Sequence, residues 1–266
     1  MSGIGSTEPL QRAKGAATLP APQRRALLTA DGLTKRFGGV AAVQDCNFAV
    51  PEGTITALVG PNGSGKTTLF NLLTGYLRAD AGSMTFGGRR FRRPDPTRLY
   101  RAGLTRTFQQ ARIFPKLTSL ENLVVAVQQP WRAIARRAVG KADQARALNL
   151  LEEFGLAPHA HEHARTLSYG QKKLLEFATV LMGRPRLVLL DEPTAGVNPL
   201  LVEAIDQHIR ALNKDGLTFL IVEHNMNVVM RLCDPVIVLD HGTKLAEGTP
   251  SEIQSNPRVL DAYLGG

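Results

Sequence analysis

The chain reads as an α/β fold: a mostly parallel sheet around a Gly-rich loop, a small antiparallel β layer, and an inserted α-helical subdomain. Three features of the 266 residues support this. Gly60-Pro61-Asn62-Gly63-Ser64-Gly65-Lys66-Thr67-Thr68 fits G-x-x-x-x-G-K-[ST]. Short apolar runs at Thr54–Val59, Arg186–Leu190, Thr218–Val222 and Val236–Leu239 alternate with helical stretches, as in a parallel sheet covered on both faces. From about Leu120 to Leu181 strand formers give way to helical periodicity.

In chain order, residues 1–26 carry Pro, Ala, Gly and Arg without periodicity and are expected to form a disordered extension. They hold no apolar core of a secretory signal; their Arg content and single acid, Glu8, faintly resemble a transit peptide. Residues 27–50 alternate short apolar segments with turns, and Ser83–Gly88 reads as a strand end plus turn, together giving the antiparallel layer. Pro51-Glu52-Gly53 is a turn leading into the strand before the Gly-rich loop. Lys66–Leu73 reads as the helix after it. Glu121–Val127, Lys141–Phe154 and Gln171–Met182 are helical, the last N-capped by Ser168, and they define a subdomain at about 110–182. The α/β pattern then resumes, with helices at Pro199–Leu212 and Asn225–Leu232.

Bulk composition narrows the class. A hydrophobic share of 43% and a charged share of 21% are those of an ordinary globular protein. No apolar run reaches the ~18 residues of a membrane-spanning helix. Cys46 and Cys233 have no metal-like spacing and suit a reducing compartment. The net charge of +9 is partly local: Arg89, Arg90, Arg92, Arg93, Arg98, Arg101 and Arg106 are opposed only by Asp95, and Arg132, Arg136, Arg137, Lys141 and Arg146 form a second group. Each reads as a solvated face or as a patch for anionic lipid or nucleic acid. Few aromatic residues interleave them, which weakens the nucleic-acid version.

The loop chemistry follows from its residue types. Glycines remove the Cβ atoms that would block convergence of backbone N–H groups on phosphate oxygens, and the helix N-terminus adds partial positive charge. Lys66 would reach the β- and γ-phosphates of a nucleotide, and the Thr67 hydroxyl would coordinate Mg²⁺. Leu187–Leu190 ends in Asp191-Glu192, which delivers two carboxylates to the C-terminal edge of the sheet. Asp191 would hold Mg²⁺, and Glu192 would polarise the attacking water as general base. The bland alternative is a surface turn. Thr218–Val222 repeats the form and ends at Glu223-His224, where His224 would bond the γ-phosphate. His159, His161 and His163 form H-x-H-x-H, read as an exposed loop in preference to a metal site.

Leu167-Ser168-Tyr169-Gly170-Gln171, shortly before the acidic pair, completes a set that resembles the ATP-binding cassette (ABC) family, whose signature is LSGGQ. The resemblance spans residues 27–266 and implies a P-loop NTPase core that hydrolyses ATP with Mg²⁺. It assigns adenine stacking to Phe37, and nucleotide contact to Gly60 through Thr68 and to Ser168, Gly170 and Gln171. It assigns metal contact to Thr67, Asp191 and Gln109 (Gln110 being the weaker candidate), and catalysis to Glu192 and His224. Ala195-Gly196-Val197-Asn198 matches the loop that crosses the dimer interface. Tyr169 replaces a glycine, Phe37 a more common tyrosine, and Asn198 a usual aspartate; Phe keeps a π-face, and Asn keeps hydrogen bonding without the charge.

The family mechanism implied is a dimer that sandwiches two ATP molecules, each held by one subunit's phosphate loop and the other's signature. Gly38–Val43, Arg106–Gln109, Leu167–Gln171, Ala195–Pro199 and Gly248–Gly265 are similar to ATPase subunits of branched-chain amino acid importers, a branch that also serves other amino acids, amides and urea. This implies a peripheral protein on the cytoplasmic face of the inner membrane. Its partners would be a second cassette, two integral membrane permease subunits and, indirectly, a periplasmic or surface substrate-binding protein, with no nucleic acid. Ile113, Phe114 and Leu117 would meet a permease coupling helix or pack in the subdomain core. The alternatives are a soluble ABC ATPase acting on DNA or ribosomes, an exporter half and a P-loop kinase. They are disfavoured by the single cassette without heptads, the lack of a fused span, and the signature segment, respectively.

Overall fold

The computed structural model describes residues 25–108, 112–127 and 140–264. Two sheets carry the architecture. Strands β1 (Ala26–Phe37), β2 (Val40–Pro51), β4 (Ala81–Phe86) and β5 (Arg89–Phe91) form an antiparallel sheet in the order β2-β1-β4-β5. Strands β3 (Ile55–Val59), β6 (Leu104–Arg106), β7 (Leu187–Asp191), β8 (Thr218–Val222), β9 (Val236–Asp240) and β10 (Thr243–Gly248) form the second, in the order β10-β9-β3-β8-β7-β6. Every pair in that sheet is parallel except β9–β10.

Strands β3, β7 and β8 are buried at every position, which is why they read as unbroken apolar runs rather than alternating ones. Successive side chains point to opposite faces, so each strand feeds two cores. Leu58, Leu187, Leu189, Leu220 and Val222 pack toward the antiparallel sheet with Leu69, Phe70 and Leu73 of helix α1 (Lys66–Leu73). Val59, Val188, Leu190, Phe219 and Ile221 pack on the opposite face, against the helices.

Those helices are α3 (Ser119–Val125), α4 (Lys141–Glu153) and α5 (Tyr169–Leu181), standing between β6 and β7 in the chain, and α6 (Pro199–Lys214) and α7 (Met226–Leu232) beyond. Thr118 caps α3 and Ser168 caps α5, each through a reciprocal capping box. Helix α2 (Pro96–Ala102) joins β5 to β6, and α8 (Pro250–Gln254) and α9 (Pro257–Leu264) close the described chain.

Two expectations need correction. Residues 27–50 are not short segments but most of a pair of 12-residue strands. Gly32 (φ 61°) and Asp45 (φ 44°) adopt left-handed backbone at register shifts inside them, which breaks the alternation in sequence. Arg106 is not part of a solvated face: it is 8% exposed. The rest of the first basic group described here, Arg89, Arg90, Arg92, Arg93, Arg98 and Arg101, is exposed. Of the second group, Arg146 donates to the Leu181 carbonyl at 2.8 Å, whereas Arg132, Arg136 and Arg137 lie outside the described residues, as does the N-terminal extension through residue 24.

Candidate nucleotide site

The loop Gly60–Gly65 leaves β3 and enters α1 at the C-terminal edge of the sheet. Gly65 (φ 100°) ends it; a Cβ there would sit 2.3 Å from the Ala42 carbonyl, so only glycine fits between loop and hairpin. The Lys66 ammonium turns back over the loop and donates to the Gly60 and Pro61 carbonyls, both at 2.8 Å. Its third donor has only a long 3.5 Å contact to Ser64 Oγ, which leaves it able to meet an anion. Burial lowers the Lys66 pKa, opposed by the nearby Glu192 carboxylate. An open cavity of about 250 Å³ is lined by Ala42, Asn62, Gly63, Gly65, Lys66, Thr67, Thr68, Glu192 and His224. Loop, acid and histidine from three different strand ends therefore face one space.

Strand β7 delivers Asp191 and Glu192 to different places. Asp191 is 7% exposed, and its Oδ2 accepts from Arg106 Nη2 at 2.9 Å. Burial raises the Asp191 pKa, with Arg106 working against that rise and Glu192 with it. Glu192 takes a left-handed backbone (φ 48°), uncommon for a residue with a Cβ, and this turns its side chain away from the strand line. The turn is held at both ends: Glu192 N donates to the Val222 carbonyl at 2.9 Å, and Lys173 Nζ donates to the Glu192 carbonyl at 3.0 Å. Glu192 Oε1 and His224 Nε2 lie 2.7 Å apart.

Glu223, to which the sequence assigns no role, organises that corner. It is 4% exposed; Oε1 accepts from the Thr194 N–H and hydroxyl, and Oε2 from the His224 and Asn225 N–H groups. It ties the segment after Glu192 to the segment bearing His224. Glu176 was also missed. Its Oε1 accepts from the Phe108 N–H at 3.1 Å and the Arg112 N–H at 3.2 Å, and burial pushes its pKa up to about 7.

The other expected residues fall as follows. Phe37 is 51% exposed at the tip of the β1–β2 hairpin, the same hairpin whose Ala42 lines the cavity, and Lys35 Nζ lies 5.5 Å from its ring centroid. Ser168, Gly170 and Gln171 do not line the cavity. Ser168 Oγ accepts from Gln171 N at 3.2 Å while Gln171 Oε1 accepts from Ser168 N at 2.8 Å, and Gln171 Nε2 lies 2.9 Å from His159 Nε2. His159 also meets Glu162 at 3.0 Å, so its ring is engaged rather than free in an exposed loop. Gln109 and Gln110 lie outside the described residues. Ile113 and Leu117 are half-buried and Phe114 is exposed.

A phosphate-type loop at the edge of a parallel sheet, with a glutamate and a histidine across the cavity from its lysine, defines a P-loop ATPase. This chain belongs to the ABC transporter family and is an ATPase of that type: the ABC transporter family model matches residues 43–195. A second, described as branched-chain amino acid ATP-binding cassette transporter, matches residues 243–266. The high-affinity branched-chain amino acid transport ATP-binding protein LivG of Salmonella typhimurium is 40% identical over 250 residues, covering 90% of this chain and 98% of its own. BraF of Pseudomonas aeruginosa, with the same description, is 39% identical over 251 residues, covering 91% and 98%. Among solved structures, the ADP conformation of an ATP-binding cassette from an ABC transporter superposes with TM-score 0.81 at 34% identity, covering 91% of this chain and all of that one. A dimeric cassette in a post-hydrolysis state with ADP and Pi gives TM-score 0.72 at 27% identity, covering 84% and 98%.

Proposed function

We propose that this chain is the ATP-hydrolysing subunit of an importer for branched-chain or chemically related amino acids. It would act as one of two cassettes that close on ATP at the cytoplasmic face of the inner membrane, beneath two permease subunits fed by a substrate-binding protein. The observation that carries the catalytic half is the 2.7 Å pair Glu192–His224 facing the cavity that Lys66 and Thr67 line. The transport half is supported by the similarity to LivG and BraF over nearly the whole chain and by the branch-specific match at 243–266.

In this reading Gly60–Gly65 and Lys66 grip the phosphates and Phe37 stacks on the adenine. Glu192 takes the proton of the attacking water, and His224 holds that carboxylate and the γ-phosphate in register. Mg²⁺ fits the residues present. Thr67 and Asp191 offer hard oxygen donors, and among the described residues no cluster of three acids, histidines or cysteines stands ready to cage a metal alone. A magnesium ion that completes its shell with substrate phosphates and water needs no such cage. When bound it neutralises charge on the β- and γ-phosphates; Thr67, Asp191 and Gln109 would hold it. Ser168, Gly170 and Gln171 stand at the α5 N-terminus and do not line their own loop's cavity, which supports a role for them toward a partner's nucleotide in trans.

The test is co-purification of tagged Glu192→Gln protein from native membranes in Mg·ATP, with partners identified by mass spectrometry. Two polytopic membrane proteins, with or without a related cassette, are expected. Recovery of soluble protein alone, or of nucleic acid shed at high salt, overturns the transport reading and leaves the ATPase site intact.

A further inference from the structure

Arg106 ends β6 and its guanidinium touches three elements. Nη1 donates to Asn71 Oδ1 at 2.7 Å and to Thr74 Oγ1 at 3.1 Å, both from the chain of α1 and its C-cap. Nη2 donates to Asp191 Oδ2 at 2.9 Å, and Nε to the Thr107 carbonyl at 3.2 Å. Thr74 spends its own hydroxyl proton on the Phe70 carbonyl at 2.6 Å, so its oxygen is free to accept from Arg106. The rings of Phe108, Tyr76 and Phe70 surround the guanidinium, with centroids 4.6, 5.6 and 5.9 Å from its central carbon. From the other side, Thr107 Oγ1 accepts the Asp191 N–H at 3.3 Å.

Stability alone is a poor account of this pair. A buried ion pair usually gains no more than apolar residues of the same volume would. What the fork supplies is geometry: one planar group bonds the helix that carries Lys66 and Thr67 and, with its other nitrogen, the carboxylate of Asp191. Asp191 Oδ1 takes no hydrogen bond from the described residues, so Arg106 fixes one oxygen and leaves the other available.

We propose that Arg106 is the positioning residue for the metal-binding carboxylate, holding Asp191 in a fixed relation to Thr67 so that Mg²⁺ and nucleotide bind together. This rests on the reading of Asp191 and Thr67 as the metal's protein ligands. A lysine, a point donor on a flexible stem, lacks the rigid fork that bonds Asn71 and Thr74 through one nitrogen and Asp191 through the other.

The experiment titrates Mg²⁺ into full-length protein with trinitrophenyl-ATP, reading nucleotide binding by fluorescence rather than turnover, for Arg106→Met, Arg106→Lys and Asp191→Asn. Metal-free nucleotide affinity, measured in EDTA, should stay within about threefold of wild type in all three, because the phosphate loop is untouched. For Arg106→Met the Mg²⁺ concentration at half-maximal enhancement should rise about tenfold, the usual scale for losing a residue that orients a metal ligand. Arg106→Lys should rise about threefold and decides the matter if Arg106→Met does not fold. An unchanged Mg²⁺ requirement in a folded Arg106 variant, beside a raised one in Asp191→Asn, overturns the positioning role. An unchanged requirement in Asp191→Asn overturns the metal-ligand reading beneath it.

Discussion

Replacing Glu192 by Gln separates chemistry from binding at this site. The amide keeps the volume, and its Oε1 keeps an acceptor 2.7 Å from His224 Nε2. The left-handed turn that aims the side chain is held by the Glu192 N–H on Val222 and by Lys173 on the Glu192 carbonyl. Neither bond involves the carboxylate, so fold and aim survive the change. What is lost is basicity toward the attacking water. General-base catalysis contributes typically about 10²–10⁴-fold, and at 1.36 kcal/mol per decade the barrier should rise by about 3–5 kcal/mol. The assay is single-turnover phosphate release with protein in excess, beside equilibrium Mg·ATP binding. The rate should fall by at least about 100-fold with the ATP Kd within about threefold of wild type. A rate within tenfold of wild type would remove Glu192 from the role of base, and a matching loss of binding would make it a ligand-contact residue instead.

Lys66→Ala should weaken ATP binding about 100-fold, since each charge-assisted bond it makes is worth about 1.5–3 kcal/mol; isothermal titration measures it. Phe37→Ala, at a half-exposed ring whose loss opens no core cavity, should raise the ATP Kd about tenfold through lost base stacking, read by the same titration. Glu176→Gln tests a buried acid faced by Lys173 and Arg112. Its folded pKa, about 7, lies above the ordinary glutamate value of 4.5, so the wild type's stability from this group is full below about pH 4.5 and is lost as pH rises through 7. The amide keeps the Oε1 acceptor for Phe108 and Arg112, so it should match wild type at pH 5 and exceed it at pH 8 by roughly 2–3 kcal/mol, checked by urea unfolding at both.

Four strands of the six-stranded sheet were legible to within one residue because burial on both faces writes an unmistakable local pattern: Ile55–Val59, Leu187–Asp191, Thr218–Val222 and Val236–Asp240 are apolar almost throughout. That the loop, Glu192 and His224 face one cavity was legible for a related reason. Each stands at the end of such a run, and strand ends in an open α/β sheet converge on one crevice. Strands β6 and β10 were not: β6 is three residues long inside an arginine-rich stretch, and β10 is exposed or half-buried throughout. Arg106, Glu176 and Glu223 escaped for a different cause. Local sequence marks each as a surface charge, and what buries it lies far along the chain: Asp191 is 85 residues from Arg106, and Phe108 is 68 from Glu176. No window of periodicity reports a partner at that separation.

The departure at Tyr169 shows the same limit from the opposite side. In sequence it is a bulky residue where the signature has glycine, and it leaves Ser168 and Gly170 to meet the γ-phosphate. In the fold Tyr169 is 50% exposed beside the loop at 195–198: the hydroxyl reaches the Ala195 carbonyl at 3.5 Å, and a Cβ on Gly196 would meet the ring at 3.5 Å. Lys173, one turn further along α5, has its ammonium 5.7 Å from the Tyr169 ring centroid while donating to the Glu192 carbonyl. The helix capped by Ser168 is thus bonded to the backbone that carries Glu192. In a dimer where Ser168 attends one nucleotide and Glu192 the other, the two half-sites of a single subunit are joined by one ammonium and one aromatic ring. A glycine at position 169 would leave only the ammonium.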